Sequence, residues 1–292
     1  MRRGTGAALF ILLCVLWGST WLVIKVGYGG LGPFNAAAVR FFVASACFAV
    51  IVPLVKTRWP RGRDEWTLVF WVGIVLFAAD YGLIYWAELF IDSGLSAILF
   101  ATHPLTTALL AHAYIPGDRM TARKLGGTLL TFLGVAALFA DRIRIDSSKI
   151  WPMAAIVAAA LCGGMATVAS KRHGHDLHPA ALNAPAMLIG ALILAAASLL
   201  AGDGFAIPGD LPTWSAVLYL AAAGSVVTFF VYFTLLKKWS ATTLSFIAIF
   251  TPAVAVILGF IFRNETLTRS AALGGALILG GVALALTSRK PS

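Results

Sequence analysis

Arg40, Asp80 and His103 stand inside long apolar runs of this chain. A charge in lipid is expensive, so such groups face a partner or a wet cavity. Asp80 reads two ways. Facing water, it carries a proton or binds a substrate ammonium; facing Arg40, it makes an ion pair that fastens two spans together. Glu88, two turns further on, falls near a span end, where a solvated rim is its expected role. His103 can bind a carboxylate, relay a proton or cap a carbonyl. It precedes Pro104, which cannot donate to the carbonyl of Phe100 four residues back, at a depth where lipid offers no other donor. The device recurs at Thr251-Pro252, which releases the carbonyl of Ala248. Two proline-broken spans at corresponding places in two halves point to a transporter's binding site near the bilayer midplane.

Aromatic side chains recur at i, i+4 as Trp17 and Trp21, Tyr81 and Tyr85, Phe229 and Phe233, and Phe246 and Phe250. Such stripes belong to packed core as readily as to a ligand box, but a Trp or Tyr ring also gives an apolar wall with one polar tip. Thr20, Ser245 and Thr251, with the carbonyls released at Phe100 and Ala248, are placed to hydrogen-bond the charged ends of a small substrate. The cluster His173, His175 and His178 around Asp176 reads as a polar loop before Pro179 rather than a metal site. Neither a metal nor a cofactor is expected.

The chain that holds these groups is 60% hydrophobic and 12% charged over 292 residues, with a mean hydropathy of +0.90. That is too apolar for an ordinary soluble domain. A net charge of +10 would suggest nucleic acid in a soluble chain. Here the basic residues lie mostly in short loops, where they orient a membrane protein. Cys14, Cys47 and Cys162 all fall in apolar runs and read as small fillers. The run after Arg2-Arg3 continues through Trp17 to Trp21 without a small-residue cleavage pattern, and so reads as a span rather than a leader.

A span of about 20 residues crosses the hydrocarbon core. On that ruler ten spans fit, roughly 7–26, 34–54, 67–88, 93–114, 122–140, 152–171, 179–201, 214–236, 241–262 and 270–287. The amino end, the even-numbered loops and the tail hold 15 Lys and Arg, and the other loops hold 6, which places both termini in the cytoplasm. An offset of 148 carries Tyr81 to Phe229, Tyr85 to Phe233 and Pro104 to Pro252; an offset of 146 carries Gly18 to Gly164 and Pro33 to Pro179. Five spans per half is an odd number, so the second half, 146–292, enters the membrane opposite to the first, 1–145. Gly127, Thr131 and Gly134, with Gly274 and Gly281, make small-residue faces for close helix packing, a scaffold role.

The segment Trp17-Gly18-Ser19-Thr20-Trp21, with Lys25, Pro33 and Ala38-Val39-Arg40-Phe41, resembles the opening of the EamA-type repeat of the drug/metabolite transporter superfamily. Ala97-Ile98-Leu99 before His103-Pro104, the turn Gly117-Asp118-Arg119-Met120-Thr121, and Asn264-Glu265-Thr266-Leu267-Thr268 extend the likeness over nearly the whole chain. The second half carries Gly163-Gly164 where the repeat has Trp-Gly. The resemblance implies an all-α integral membrane fold of ten helices, as two inverted five-helix repeats around a central cavity. It also implies no enzymatic activity, and export of small metabolites across the inner membrane. Amino-acid exporters, aromatic ones included, are the subgroup it resembles most. In that fold the first, third, eighth and ninth helices border the cavity, so Trp17, Trp21, Tyr81, Tyr85 and Phe229 are expected to touch substrate.

The expected partners are therefore a small molecule, an amino acid above all, and the bilayer; a monomer is compatible with this. No Walker pattern is present, so ATP does not drive transport directly. Two rivals stand: a polytopic enzyme using His103 and Asp80, and an exporter of drugs or other metabolites.

Overall fold

Pro33 and Pro179 each open a long helix, where a fixed φ suits the first turn and the missing N–H would lack a partner anyway. In the computed structural model, residues 3–118, 120–138, 147–253 and 269–286 are described, and among them every regular element is helical. The first half gives α1 (Arg3–Gly27), α2 (Pro33–Leu54), α3 (Gly62–Val72), α4 (Tyr81–Ala87), α5 (Ser93–Phe100), α6 (His103–Tyr114) and α7 (Ala122–Leu138). The second gives α8 (Ile150–His173), α9 (Pro179–Leu200), α10 (Leu211–Ala221), α11 (Thr228–Leu236), α12 (Ala241–Ser245) and α13 (Arg269–Leu286), with a helical stretch over 247–253 following α12.

Seven stretches among the described residues are long and apolar enough to cross a bilayer: Gly4–Gly27, Pro33–Leu54, Gly62–Ala87, Ser93–Tyr114, Ile150–His173, Pro179–Leu200 and Leu211–Leu236. They fall where the first four and the sixth to eighth spans are expected. At the other three places stand shorter apolar helices, the 17 residues of α7, Ala241–Ala253 and Leu273–Ala285. Arg119, the end of the ninth expected span and the motif Asn264 to Thr268 lie outside the described residues. Leu200, Leu211 and Trp151 are among the most exposed apolar side chains, at 89%, 79% and 78%, an arrangement suited to lipid rather than water.

Two of the long spans share an irregularity absent from the sequence reading. Gly73–Asp80 joins α3 to α4 as π-helix, and Ala222–Val227 joins α10 to α11 in the same way. A π turn carries an extra residue, loosens the hydrogen-bond ladder and re-aims the side chains beyond it. The two segments overlap under the 148-residue offset and flank the same cavity.

Packing partners come in pairs that exchange when the halves exchange. α7 lies along α13 with backbone on backbone: a Cβ on Gly127 would fall 2.5 Å from the Gly281 carbonyl oxygen, and one on Gly134 2.9 Å from that of Gly274. Because 127 meets 281 while 134 meets 274, these helices run antiparallel. α2 and α9 also run antiparallel: Ser45 Oγ donates to the Ala184 carbonyl at 2.7 Å, and Asn35 Nδ2 to that of Ala206 at 2.8 Å. α1 packs on α10 and α11, and α8 correspondingly on the span from Gly62 to Ala87.

Candidate functional site

Between these pairs lies a cavity of about 800 Å³, counting the part open to its surroundings. Trp17, Thr20 and Trp21 of α1 line one wall, and Asp80, Tyr81 and Ile84 the next. Phe100 and His103 enter from the break between α5 and α6. The second half contributes Gly163 and Thr167 from α8, Phe229, Tyr232 and Phe233 from α11, and Ser245, Ala248 and Thr251 from the broken span beyond.

The rings pack edge to face or tilted against one another. Trp17 lies 5.4 Å from Phe229 and 5.3 Å from Tyr232, and Trp21 lies 5.6 Å from Phe100, centroid to centroid. Such contacts fix ring orientation, so the walls are rigid apolar plates. Polar groups are few and mostly bound. The Tyr232 and Thr167 hydroxyls share a hydrogen bond of 2.7 Å, and His103 Nδ1 shares one of 2.9 Å with Thr107 Oγ1. Asp80 is only 2% exposed, and its Oδ1 has no hydrogen-bond partner. A Cβ built on Gly163 would stand 3.1 Å from His103 Nε2 and 3.4 Å from Asp80 Oδ2, so both side chains converge on that bare backbone.

The proline-marked spans are broken as expected. α5 stops at Phe100 and α6 starts at His103, with Pro104 in its first turn. In the second half the break falls at Phe246, ahead of Pro252 by more than a turn. The Ala248 carbonyl and that of Leu99, next to Phe100, are taken by hydroxyls. Thr251 Oγ1 donates to the Ala248 oxygen at 3.1 Å, and Thr102 Oγ1 to that of Leu99 at 2.7 Å. Pro104 and Pro252 shape the walls from behind and do not line them.

Of the side chains expected at the site, Trp17, Thr20, Trp21, Asp80, Tyr81, Phe100, His103, Phe229, Ser245 and Thr251 come together around the cavity, and two do not. Arg40 makes no ion pair with Asp80. Its Nε donates to Ser225 Oγ and its Nη2 to the Gly224 carbonyl, both at 2.9 Å, and its Nη1 lies 3.3 Å from the Tyr85 hydroxyl. The π turn at Ala222–Val227 presents those acceptors, so the guanidinium is satisfied by dipoles and by the Tyr81 ring 4.8 Å beneath it. Tyr85, 1% exposed, is committed to this network; its carbonyl also accepts from the Tyr28 hydroxyl at 2.7 Å. Glu88 is buried rather than solvated at a rim.

The sequence reading passed over Gly163, Thr167 and Tyr232 as site residues, though its own offsets contained them. Adding 146 to Trp17 and Trp21 gives Gly163 and Thr167; adding 148 to Ile84, Phe100 and His103 gives Tyr232, Ala248 and Thr251. Each half thus supplies the same wall positions with different side chains. The first half places Trp17, Trp21, Phe100 and His103 where the second places the smaller Gly163, Thr167, Ala248 and Thr251, while Tyr81 and Phe229 keep a ring at one position in both.

The sequence profile of the EamA-like transporter family matches the chain twice, over residues 4–140 and 150–287. An uncharacterized inner membrane transporter of Escherichia coli, YedA, is 29% identical over 284 residues, covering 95% of this chain and 89% of that protein. A probable terminal-alkyne amino-acid exporter of Streptantibioticus cattleyicolor is 28% identical over 286 residues, covering 97% and 94%. A solved crystal structure superimposes with a TM-score of 0.81 over 97% of each chain at 20% identity, a likeness of fold.

Proposed function

The chain belongs to the EamA-like transporter family, and from that footing we propose that it is a secondary carrier exporting amino acids or similar small metabolites across the inner membrane. Its ten spans form two inverted repeats, 1–145 and 146–292, with both termini in the cytoplasm. One repeat rocks against the other around the cavity, exposing it to each side in turn. The observation that carries this reading is the lining itself: equivalent positions of both halves meet around one site, as alternating access between two related units requires. The antiparallel α2–α9 and α7–α13 pairs support the inversion, because equivalent spans of inverted repeats must run oppositely. The exporter named for an amino acid among the relatives supports the substrate class.

Counterflow tests it. Purified protein in liposomes loaded with one unlabelled amino acid should take up the same labelled amino acid, saturably and chemically unchanged. A product of altered chemistry would point to the His103 and Asp80 enzyme instead, and conductance without saturation to a channel. Tags at both ends should react only from the cytoplasmic face; reaction from opposite faces removes the ten-span inverted arrangement.

A further inference from the structure

The charges around the cavity do not suit a zwitterion. Among the described residues, Asp80 is the single carboxylate that lines the cavity, and no lysine or arginine does. Arg40, the basic side chain buried closest in chain depth, is turned to Ser225, Gly224 and Tyr85. A buried carboxylate oxygen without a donor leaves a large desolvation cost unmet. An ammonium would meet it with charge and hydrogen bonds together.

The hydroxyls point the same way. Thr20 donates to the Trp17 carbonyl at 2.7 Å, Ser245 to that of Thr242 at 2.8 Å and Thr251 to that of Ala248 at 3.1 Å. With their protons committed, these three offer a cargo lone pairs, which an ammonium can use and a carboxylate cannot. Trp17 and Phe229 add aromatic rings to the lining, which attract a cation.

The seat is equally specific. Gly163 occupies the wall position that Trp17 fills in the other half, and Asp80 Oδ2 and His103 Nε2, both on cavity-lining residues, close on its bare backbone. We infer that the cargo is an organic monocation, a primary amine on an aromatic or apolar body, whose ammonium sits on Asp80 beside Gly163. This rests on the carrier reading for the cavity's being the transport site, and narrows its substrate from amino acids towards amines lacking a free carboxylate.

Three probes with one aromatic body separate the alternatives: 2-phenylethylamine, L-phenylalanine and 3-phenylpropionate. Binding to the full chain in detergent is measured by titration calorimetry near neutral pH, beside counterflow in liposomes. The amine should bind roughly tenfold or more tighter than phenylalanine, with phenylpropionate weakest, on the scale of one charge-assisted contact. Asp80→Asn and Gly163→Ala should each weaken the amine by roughly ten- to a hundredfold, the first by removing charge and the second by covering it. Should Asp80→Asn fail to fold, Gly163→Ala decides. Absence of amine binding, phenylalanine bound as tightly as the amine, or amine affinity unmoved by the substitutions overturns the inference. Phenylalanine exchanged without amine binding would leave the carrier standing and this seat refuted; amine bound with no probe exchanged would remove the carrier reading and leave Asp80 a binding site for an amine that is not cargo.

Discussion

Arg40 Nη2 donates to the Gly224 carbonyl oxygen at 2.9 Å, tying α2 of the first half to the π turn of the second. The guanidinium is 1% exposed and reaches three acceptors from two spans, so it acts as a strut between halves. Arg40→Met would leave Ser225 and Gly224 short of a donor, and should lower stability by about 3 kcal/mol, the scale of a lost buried charged hydrogen-bonding group. Arg40→Lys should recover only part, because a point-charge ammonium cannot span the fork. Thermal unfolding in detergent, followed by tryptophan fluorescence, checks this; a Met variant as stable as the parent would refute it.

The α7–α13 contact predicts a sharp contrast among glycines. A methyl on Gly127 would fall 2.5 Å from a backbone oxygen that no rotamer change can move, whereas Gly275 and Gly280 have nothing within 4 Å. Gly127→Ala should cost about 2 kcal/mol through forced separation of the helices. Gly275→Ala should be neutral or stabilising by up to about 1 kcal/mol, from helix propensity alone. The same unfolding measurement ranks them, and equal effects would mean the close approach is absent.

Asp210, just outside the eighth span, caps α10. Its Oδ1 accepts from the Thr213 backbone N–H at 2.8 Å and the hydroxyl donates to the same carboxylate. These donors hold its pKa below the usual aspartate value. A depressed folded pKa stabilises above the unfolded value, and that contribution disappears as pH falls through the folded one. Asp210→Asn keeps a capping oxygen but removes the charge. The parent should therefore be the more stable at neutral pH, and the two melting curves should converge in acid below the ordinary aspartate range. A gap that persists there would show that geometry, not charge, makes the difference.

The seven long spans were legible because length and apolarity are one-dimensional properties, and the glycine faces of α7 and α13 because spacing at i, i+4 and i+7 fixes a helical face. Phe100 and His103 were legible for a related reason, since Pro104 announces the break between α5 and α6; Pro252 marked the second broken span but not the place of its break at Phe246. The partners of Arg40 were not legible. Depth in the membrane puts Arg40 and Asp80 together, but which way each faces depends on the π turns at Gly73–Asp80 and Ala222–Val227. These have no residue signature and rotate all that follows. Tyr85 was misplaced because the Tyr28 hydroxyl, from the end of α1, closes on its carbonyl, a contact that no periodicity contains. Gly163 was passed over because glycine offers no functional group; its meaning lies in the tryptophan that it replaces.

Tyr85 and Tyr232 give the cleanest comparison between a position expected at the site and one found there. Both are buried and both hydroxyls are hydrogen-bonded, Tyr85 to Arg40 at 3.3 Å and Tyr232 to Thr167 at 2.7 Å. Tyr85→Phe and Tyr232→Phe delete the same atom, and each should cost about 1 kcal/mol of stability. Transport separates them, because only Tyr232 lines the cavity. In counterflow, Tyr232→Phe should raise KM by roughly three- to tenfold, the value of one polar contact to cargo. Tyr85→Phe should leave KM unchanged while lowering the melting temperature. The opposite pattern would place the cargo against Arg40 and empty the proposed cavity of its role.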